Sequence, residues 1–559
     1  MNFVDQTKKV HSIRISQVLC VLPLLLLFAC GGRKDDLSDS GKTVFRYNEA
    51  AGISKLDPSR TASFEDIIAI GHLFEGLVGL DEDMKVIPSI AASYEMSDNE
   101  LEYTFHLRSD VYFHDDACFP ASEGRRVVAS DFEYSFFRIV DPAEPSPGKY
   151  IFENVEKSER SNFLGFKAMD DHTFKIFLKR PQPSFIQMLT LRHCSVVPHE
   201  AVDMYGENFR AHPIGTGPFK FSFWDEGVKL VLLKNESYWR KSKSGDQLPY
   251  LDAITISFLP DRLQEFLKFE SGKFEMMSGL DPVYQEKILT DMGDMQPQFD
   301  ETVTFSKIPW LKTDYLGFLV DGDKPVNKNS PIMNKLVRKA INYAINRDEL
   351  VLYMRKSIGT PGQMGFLPKG MPGFEHLNVD GYTYDQEKAR ALLRQAGYKG
   401  QKIKLIVANQ YKLICDYIQR KLNEVGLEVK VDAVSKSVHR KDMATFQANF
   451  FLKNWTADFP DATNFYQLYY SKNFSPENGP NYTHFSNVEY DKNFELLLEE
   501  SNDTVKWDLY NKLEAILIDE APIVPLFYDE TVRFYRSTVT GIKVNSMNQL
   551  DLSEVRIQD

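Results

Sequence analysis

Strand and helix patterns alternate between residues 385 and 434, and this order constrains the fold more than any other feature of the chain. Asp385 is a typical helix N-cap residue, and the helix that it predicts carries an apolar stripe and stops at Gly397. A strand, a second helix and a second strand are then predicted at Ile403–Val407, Leu413–Val425 and Val429–Val434. Helices and strands in this order indicate at least one α/β lobe.

The same two patterns recur in the rest of the chain. Leu101–Leu107 alternates strictly between apolar and polar residues, as a half-buried strand does. Ser330 and Pro331 have the residue types of an N-cap and a first helical position, and an apolar stripe follows them up to Ile345. No repeat and no low-complexity linker divides the 559 residues, a length that holds about three to four domains' worth of core.

Residues 1–29 predict a secretory signal peptide. A basic start precedes an apolar stretch of 15 residues, Ile15–Ala29, and a membrane-spanning helix needs about 20 residues. The stretch ends in Leu27-Phe28-Ala29-Cys30, which resembles a bacterial lipobox, so Cys30 is the predicted lipidation site. Residues 30–42 then predict a flexible tether, and its Lys-Asp-Asp run resembles a surface-export signal of Bacteroidota lipoproteins. A short N-terminal anchor helix is the alternative interpretation, and the membrane and its leaflet stay open.

Charge and cysteine content exclude several classes of protein. Lys and Arg number 66 and Asp and Glu 79, a formal net charge of −13 with no basic block, which argues against a nucleic-acid partner. Without the signal peptide and Cys30, the remaining cysteines are Cys118, Cys194 and Cys415, and they have no Cys-x-x-Cys spacing. No zinc site is therefore predicted, while one disulfide between any two of the three is compatible with the sequence.

Motifs of known catalytic sites are incomplete in this chain. Gly41-Lys42-Thr43 ends like a phosphate-binding loop, but Asp36 occupies the position of the loop's first glycine. His199-Glu200 begins a zinc-protease pattern, but Asp203 occupies the position of the second histidine ligand. A long α/β chain without a readable catalytic motif favours binding over turnover, so we expect no enzyme activity, no metal and no cofactor.

A series of short motifs runs nearly from one end of the chain to the other. In order, they are Leu56-Asp57-Pro58, Leu73–Val78, Pro88–Glu95, Tyr103–Arg108, Val111–Asp115, Ala129–Phe136, Pro213–Phe219, Tyr238-Trp239, Val337–Arg347, Tyr384–Tyr398 and Trp455–Asp461. Each motif alone is weak, but their number and order are specific. The series resembles the solute-binding lipoproteins of peptide ABC importers, the extracellular solute-binding proteins of family 5.

The resemblance implies an α/β fold that is bilobal and periplasmic-binding-protein-like, of the class II or cluster C type, with an extra third subdomain. Lobe I is expected at 43–65, 210–302 and 526–559, the extra subdomain at 66–209 and lobe II at 303–525. The hinge is expected at the crossings near 303 and 526. The implied function is to capture di- or oligopeptides in the cleft and to deliver them to an ABC permease. A lipid-anchored monomer in the cell envelope is expected, on the periplasmic side of a membrane or at the outer-membrane surface.

The resemblance also implies a ligand site. In the family's peptide binders, a Trp-x-x-Asp element supplies the aspartate that receives the ligand's α-ammonium, and Asp458 matches it. By residue type alone, an Asp in Ala-Asp-Phe-Pro-Asp is usually a turn or cap residue, and the resemblance reverses that reading. Trp455 either walls the first side-chain pocket or belongs to the core. Backbone contacts are expected from Asn454, Ala457, Gly52 and Ile53.

Two questions stay open at the level of the sequence. No Lys or Arg stands out as the partner of the ligand's α-carboxylate, so the length of the peptide is not predicted. The alternatives to a peptide within the same fold are a metal chelate, haem or an oligosaccharide. The alternative from another class is a surface lipoprotein hydrolase.

Overall fold

A computed structural model describes residues 41–157, 165–477 and 479–558. The predicted signal peptide, the predicted lipidation site Cys30 and most of the predicted tether lie outside these residues. None of the helices in the described part of the chain has the length and apolar character needed to cross a membrane.

The described residues contain 21 strands. They are β1 (Val44–Asn48), β2 (Val78–Leu80), β3 (Val86–Pro88), β4 (Ala91–Met96), β5 (Glu102–Leu107), β6 (Phe166–Ala168), β7 (Thr173–Phe177), β8 (Phe219–Asp225), β9 (Lys229–Lys234), β10 (Ala253–Ser257), β11 (Met276–Ser278), β12 (Val303–Phe318), β13 (Thr360–Pro361), β14 (Lys402–Ala408), β15 (Glu428–Val434), β16 (Phe450–Thr456), β17 (Ile523–Arg536), β18 (Val539–Thr540), β19 (Lys543–Val544), β20 (Leu550–Asp551) and β21 (Arg556–Ile557). The strands predicted at 101–107, 228–233, 254–258, 403–407 and 429–434 are confirmed within one or two residues.

The α-helices of the described residues are α1 (Phe64–Leu73), α2 (Ala129–Val140), α3 (Phe185–Met188), α4 (His199–Tyr205), α5 (Arg262–Glu270), α6 (Gln285–Ile288), α7 (Lys335–Ala344), α8 (Arg347–Glu349), α9 (Gln386–Gln395), α10 (Lys412–Glu424), α11 (Lys436–Ala444), α12 (Thr463–Tyr466), α13 (Val488–Glu499) and α14 (Asp503–Glu520). A π-helical turn, Leu350–Met354, follows α8. Short 3₁₀ helices lie at Pro58–Arg60, Pro120–Ser122, Pro147–Phe152, Arg192–Cys194, Gly206–Ala211, Pro297–Phe299, Pro325–Asn327, Pro331–Met333, Phe374–His376, Asn409–Tyr411, Gln467–Tyr469 and Ser471–Asn473.

The first part of the chain builds two sheets around one core. One sheet has the strand order β1-β10-β9-β8, with β1 parallel to β10, and the other has the order β4-β5-β7-β6. Phe45 and Ile254 of the first sheet and Phe105 and Phe174 of the second belong to the same buried cluster. The segments expected for lobe I and for the extra subdomain therefore share a hydrophobic core.

A larger sheet, with the order β11-β17-β12-β16-β14-β15, organises the second part of the chain. Its long antiparallel strands β12 and β17 pair from Val303 opposite Arg536 to Gly317 opposite Ile523. Their register shifts between Pro309 and Thr313. Strand β11 pairs with β17 on one side of this shift, and β16 pairs with β12 on the other side. The expected crossings at 303 and 526 both fall in these two strands.

Helices cover both faces of the larger sheet. On one face, α7, α9 and α10 pack their apolar stripes against β12, β14 and β16, as the 3.6-residue period predicts. On the other face, α12, α13 and α14 enclose a second core with Tyr315 of β12. From Thr43 onward, the chain forms one compact unit.

Several local predictions can be compared directly with the structure. Asp385 caps α9 as predicted, since its carboxylate accepts a hydrogen bond of 2.8 Å from the Lys388 N–H. The cap predicted at Ser330 for the next helix was wrong, because Pro331–Met333 forms a separate 3₁₀ turn and Asn334 caps α7. Leu413 was counted in the buried stripe of its helix but is 69% exposed. All three cysteines, Cys118, Cys194 and Cys415, are free thiols.

Candidate functional site

The chain leaves the larger sheet at Asp458. Strand β16 pairs with β12, with Trp455 opposite Thr313, and the pairing ends after Thr456. The Ala457 N–H still donates to the Leu311 carbonyl at 2.8 Å. This bond fixes the direction in which the chain continues after β16. Asp458 is therefore the first residue after β16 that no longer hydrogen-bonds to the sheet.

Asn464 of α12 holds the two candidate ligand residues in place. Its Oδ1 accepts a hydrogen bond of 2.9 Å from Trp455 Nε1 and one of 3.3 Å from the Asp458 N–H. Asn464 is only 1% exposed, so this amide is a rigid support. The indole of Trp455 is half-buried and lies at the border of the core around α12 to α14. Trp455 is therefore partly a core residue and partly open to the cleft.

Asp458 is exposed to solvent, while the protein around its carboxyl partly desolvates that group. Burial raises the pKa of its carboxyl above the usual value, and the Asn464 amide offsets this only in part. No Lys, Arg or His of the described chain forms an ion pair with Asp458. A carboxylate in such surroundings is stabilised when a cation binds to it.

Residues from the first part of the chain lie near Asp458. Burial and the Asp458 charge raise the pKa of the Tyr150 phenol, which places Tyr150 within electrostatic reach of the carboxylate. Phe459, the next residue after Asp458, is buried in the core of the first two sheets. Asp458 thus lies in a cleft between the two large parts of the structure.

One edge of β16 carries unpaired backbone groups beside Asp458. The parallel pairing of β16 with β14 brings Phe451 opposite Ile406 and goes no further in the described residues. Alternate residues of a strand direct their N–H and C=O groups to opposite sides. The Ala457 N–H points toward β12. By this alternation, the backbone groups of Asn454 and Thr456 point to the opposite side of β16, where the pairing with β14 has ended. This edge is available to an added strand.

A cavity of about 470 Å³ lies next to this edge. Both parts of the structure line it, and its walls include Glu49, Phe64, Trp310, Arg355, Tyr411 and Arg533. The Asn454 side chain donates a hydrogen bond of 2.7 Å to the Tyr411 hydroxyl, which connects the cavity to β16. The volume is in the range of about 300–1,000 Å³ that is usual for small-ligand pockets.

A comparison with protein families decides the assignment. The model of the bacterial extracellular solute-binding proteins, family 5 (middle), matches residues 85–477. The chain belongs to this family. Its architecture is accordingly that of the bilobal periplasmic binding proteins of family 5.

Individual members of family 5 resemble the chain over most of its length. The dipeptide-binding protein of Escherichia coli is 27% identical over 509 residues, which cover 87% of this chain and 88% of that protein. The dipeptide-binding protein DppE of Bacillus subtilis is 24% identical over 544 residues, 93% of each chain. The solved structure of the ABC transporter-associated periplasmic binding protein DppA of Helicobacter pylori, in complex with the peptide STSA, is 26% identical with a TM-score of 0.74. That match covers 94% of this chain and all of that one.

The remaining residues that the family resemblance suggested lie on either side of the cleft. Gly52 follows β1, has a φ of +72° and donates its N–H to the Glu49 carbonyl at 2.9 Å. Ile53 is buried in the core of the first two sheets. Asn454 presents free backbone groups to the cleft, whereas the Ala457 N–H is already engaged by Leu311. Since Glu49 lines the cavity and accepts the hydrogen bond from Gly52, the turn at Gly52 lies close to the cavity.

Some residues of this family-5 cleft escaped the sequence interpretation. Asn464 has no sequence signal beyond its position six residues after Asp458, and Tyr150 comes from a part of the chain about 300 residues away. Glu49 and Arg533 lie near opposite ends of the sequence but line the same cavity. Only the fold brings these residues together.

Proposed function

We propose that this protein is the extracytoplasmic substrate-binding component of an ABC importer and that it captures peptides in the cleft at Asp458. The proposal depends above all on the Asp458 carboxylate. Solvent can reach this residue, the protein around the carboxyl partly desolvates it, and no Lys, Arg or His of the described chain pairs with it. A free peptide carries an ammonium at one fixed end. An ion pair with that ammonium would compensate the cost of keeping the carboxylate in the cleft.

The unpaired edge of β16 provides the second anchor. An extended peptide can hydrogen-bond to the backbone of Asn454 and Thr456 as an added strand, with its ammonium at Asp458. From Asp458 to Asn454 a strand spans about 13 Å, which is the length of about three to four extended residues. Neither anchor contacts a ligand side chain, so peptides of many sequences fit. In this arrangement, Trp455 walls the pocket of the first side chain.

Ligand capture is proposed to involve closure of two lobes. Lobe I comprises 43–65, 210–302 and 526–559, with the extra subdomain at 66–209, and lobe II comprises 303–525. The register shift of β12 and β17 lies where these strands pass between the lobes, which suits a hinge. Contacts across the cleft support a closed form here, since the rings of Phe64 and Trp310 lie 5.9 Å apart and Arg180 lies 3.8 Å from Glu499.

The remaining parts of the proposal follow from the N-terminal motif and the family. Cys30 carries the lipid that anchors a monomer to the periplasmic side of a membrane or to the outer-membrane surface. The folded part passes its peptide to the ABC permease. As in a family of solute-binding proteins, it is proposed to bind and release this ligand unchanged.

Isothermal titration calorimetry tests the proposal. Alanine peptides of two, three and four residues should bind, and their N-acetylated forms should bind much more weakly, because acetylation removes the ammonium. An oligosaccharide such as maltotriose is the control and should not bind. Binding of the sugar, or equal binding of free and acetylated peptides, would contradict the assignment of Asp458.

A further inference from the structure

Glu49 is a carboxylate in the wall of the cavity beside the cleft, and its side chain has no hydrogen bond and no ion pair in the described residues. The other carboxylates that line the cavity are engaged. Asp529 pairs with Arg355. Glu530 accepts a hydrogen bond of 2.9 Å from the Gly359 N–H. Glu49 is therefore available to a group that enters the cavity.

Aromatic and apolar side chains border the same cavity. Phe64 of α1 and Trp310 of β12 both line it, and the centres of their rings lie 5.9 Å apart. Lys312 Nζ lies 5.0 Å from the centre of the Trp310 ring, so this ring already interacts with one cation. Ile68 and Leu413 add aliphatic surface to the wall. Aromatic faces attract cations, and apolar walls suit the aliphatic stem of a lysine or arginine side chain.

The charges around Glu49 favour a cation over a second anion. Burial and the nearby Glu65 raise the pKa of Glu49 to about 8, and Glu265 adds to this effect. Arg533 and Arg262 offset part of it, but neither forms an ion pair with Glu49 in the described residues, and Arg262 is already paired with Glu265 at 2.6 Å. A cation beside Glu49 would stabilise its ionised form, whereas another anion would destabilise it. The titratable groups that act on Glu49 or respond to it are Tyr47 of β1, Glu65 of α1, Arg262 and Glu265 of α5, and Arg533 of β17.

The cavity is within reach of a peptide at the proposed site. Asp458 lies at one end of the free edge of β16, and Asn454 lies four residues before it. The Asn454 side chain is bonded to Tyr411, which lines the cavity. A peptide that starts at Asp458 and follows this edge passes the cavity within about three to four extended residues. A side chain of its second, third or fourth residue can therefore enter the cavity.

We propose that the cavity receives a cationic side chain of the bound peptide, with the aliphatic stem against Phe64 and Trp310 and the charged head at the Glu49 carboxylate. The inference rests on the proposed peptide-binding function and adds a substrate class to it. The preferred ligands are peptides that carry a lysine or arginine at a fixed distance from their amino terminus. When the head group binds, Glu49 releases its proton to the solvent, so that the pair consists of two ionised groups.

Calorimetry with matched peptides tests the inference. Alanine tetrapeptides with Lys at the second, third or fourth residue are compared with tetrapeptides that carry norleucine there, which keeps the stem and lacks the ammonium. The wild type should prefer Lys at one of these positions by about 10-fold at pH 7, as expected for a charge-assisted hydrogen bond less the cost of ionising Glu49. The ratio should increase up to about pH 8.5, because Glu49 then ionises at less cost. The α-ammonium is common to both peptides and cancels in this ratio.

Two variants connect the preference to Glu49. Glu49→Gln should abolish the preference for Lys over norleucine, because it removes the carboxylate and keeps the shape of the side chain. Its melting temperature at pH 7 should be close to that of the wild type, since Glu49 is largely protonated there and the amide is also neutral. Glu95→Gln is the matched control on β4, where 73% of the Glu95 side chain is exposed, and it should retain the preference.

Proton release gives a second measurement that needs no variant. At pH 7, the preferred Lys peptide should release close to one proton more on binding than its norleucine partner, because most of Glu49 is protonated before binding. Titrations in phosphate and in Tris, whose ionisation enthalpies differ, measure this number. Equal proton release by the two peptides overturns the inference, and this result decides if Glu49→Gln does not fold.

The outcomes separate the two levels of the proposal. If the tetrapeptides bind but Lys is preferred at none of the positions, or if Glu49→Gln keeps the preference, the cation site is overturned and peptide binding stands. If no tetrapeptide binds, peptide binding is overturned, and millimolar n-butylammonium then tests the cation site alone by thermal shift. It should raise the melting temperature of the wild type but not of Glu49→Gln, and equal shifts overturn the inference.

Discussion

The substitution Asp458→Asn examines the ammonium anchor, because it removes the charge and keeps the shape of the side chain. Among residues 41–157, 165–477 and 479–558, no Lys, Arg or His pairs with Asp458, so removing its charge mainly affects the ammonium of the ligand. Leaving a buried ammonium without its partner costs about 2–5 kcal/mol. The dissociation constant of Ala-Ala-Ala should therefore rise by about 30- to 5,000-fold.

The assay is a thermodynamic cycle in isothermal titration calorimetry. Wild type and Asp458→Asn are each titrated with Ala-Ala-Ala and with N-acetyl-Ala-Ala-Ala. Acetylation should weaken binding to the wild type by a similar factor, and the variant should hardly distinguish the two peptides. The reason is that the substitution removes the carboxylate of the ion pair and acetylation removes its ammonium, so both changes abolish the same interaction. Asp98→Asn, in the exposed turn between β4 and β5, is the matched control and should bind like the wild type.

Two results would contradict an ammonium anchor at Asp458. One is wild-type affinity of Asp458→Asn for the free peptide, and the other is tight binding of the acetylated peptide to the wild type. The melting temperature of the ligand-free variant separates binding from folding. It should be unchanged or higher, because the substitution removes a carboxyl whose ionisation is disfavoured by burial.

Three further predictions follow from the same structure. Asn464→Ala should lower both the melting temperature and the peptide affinity, since Trp455 Nε1–H and the Asp458 N–H each lose an acceptor at a cost of about 1–3 kcal/mol; unchanged affinity would contradict its supporting role. Peptide affinity should fall as the pH is lowered through the raised pKa of Asp458, because only the ionised carboxylate pairs with the ammonium; titrations from about pH 7 to pH 4 check this, and a flat profile would contradict it. Burial lowers the pKa values of His72 and His114 to about 4, so the unfolded chain binds more protons than the folded one below about pH 6.5. Stability in urea should therefore fall between about pH 6.5 and 4, by up to about 3 kcal/mol for each histidine, and the matching His→Gln variants should lose less.

Local rules were reliable where a segment's structure depends on its own residues. Asp385 caps α9, and Gly397, with a φ of +67°, ends that helix region. Both effects depend only on residues within one helical turn. The rules failed where a neighbour decides the outcome. Pro331 starts a turn of its own, and Asn334 then offers a better-placed cap. Leu413 has the spacing of a core residue, but it lines the cavity and is 69% exposed.

The candidate site was predictable only as far as one contiguous motif extends. Trp455 and Asp458 are separated by two residues, so the family pattern identifies both. Asn464, which fixes their geometry, has no such pattern. Arg533 and Glu49 meet because β17 and the turn after β1 adjoin in the folded chain, and no rule based on periodicity connects residues so far apart in sequence.

Native mass spectrometry of the full-length protein, purified without denaturation, identifies the ligand that the cleft holds. Bound species should have masses that match short peptides of about three to four residues, and Asp458→Asn should lose them. Tandem fragmentation should give peptide sequences with free amino termini. A bound metal chelate, haem or oligosaccharide in place of peptides, or peptides retained equally by Asp458→Asn, would contradict the account.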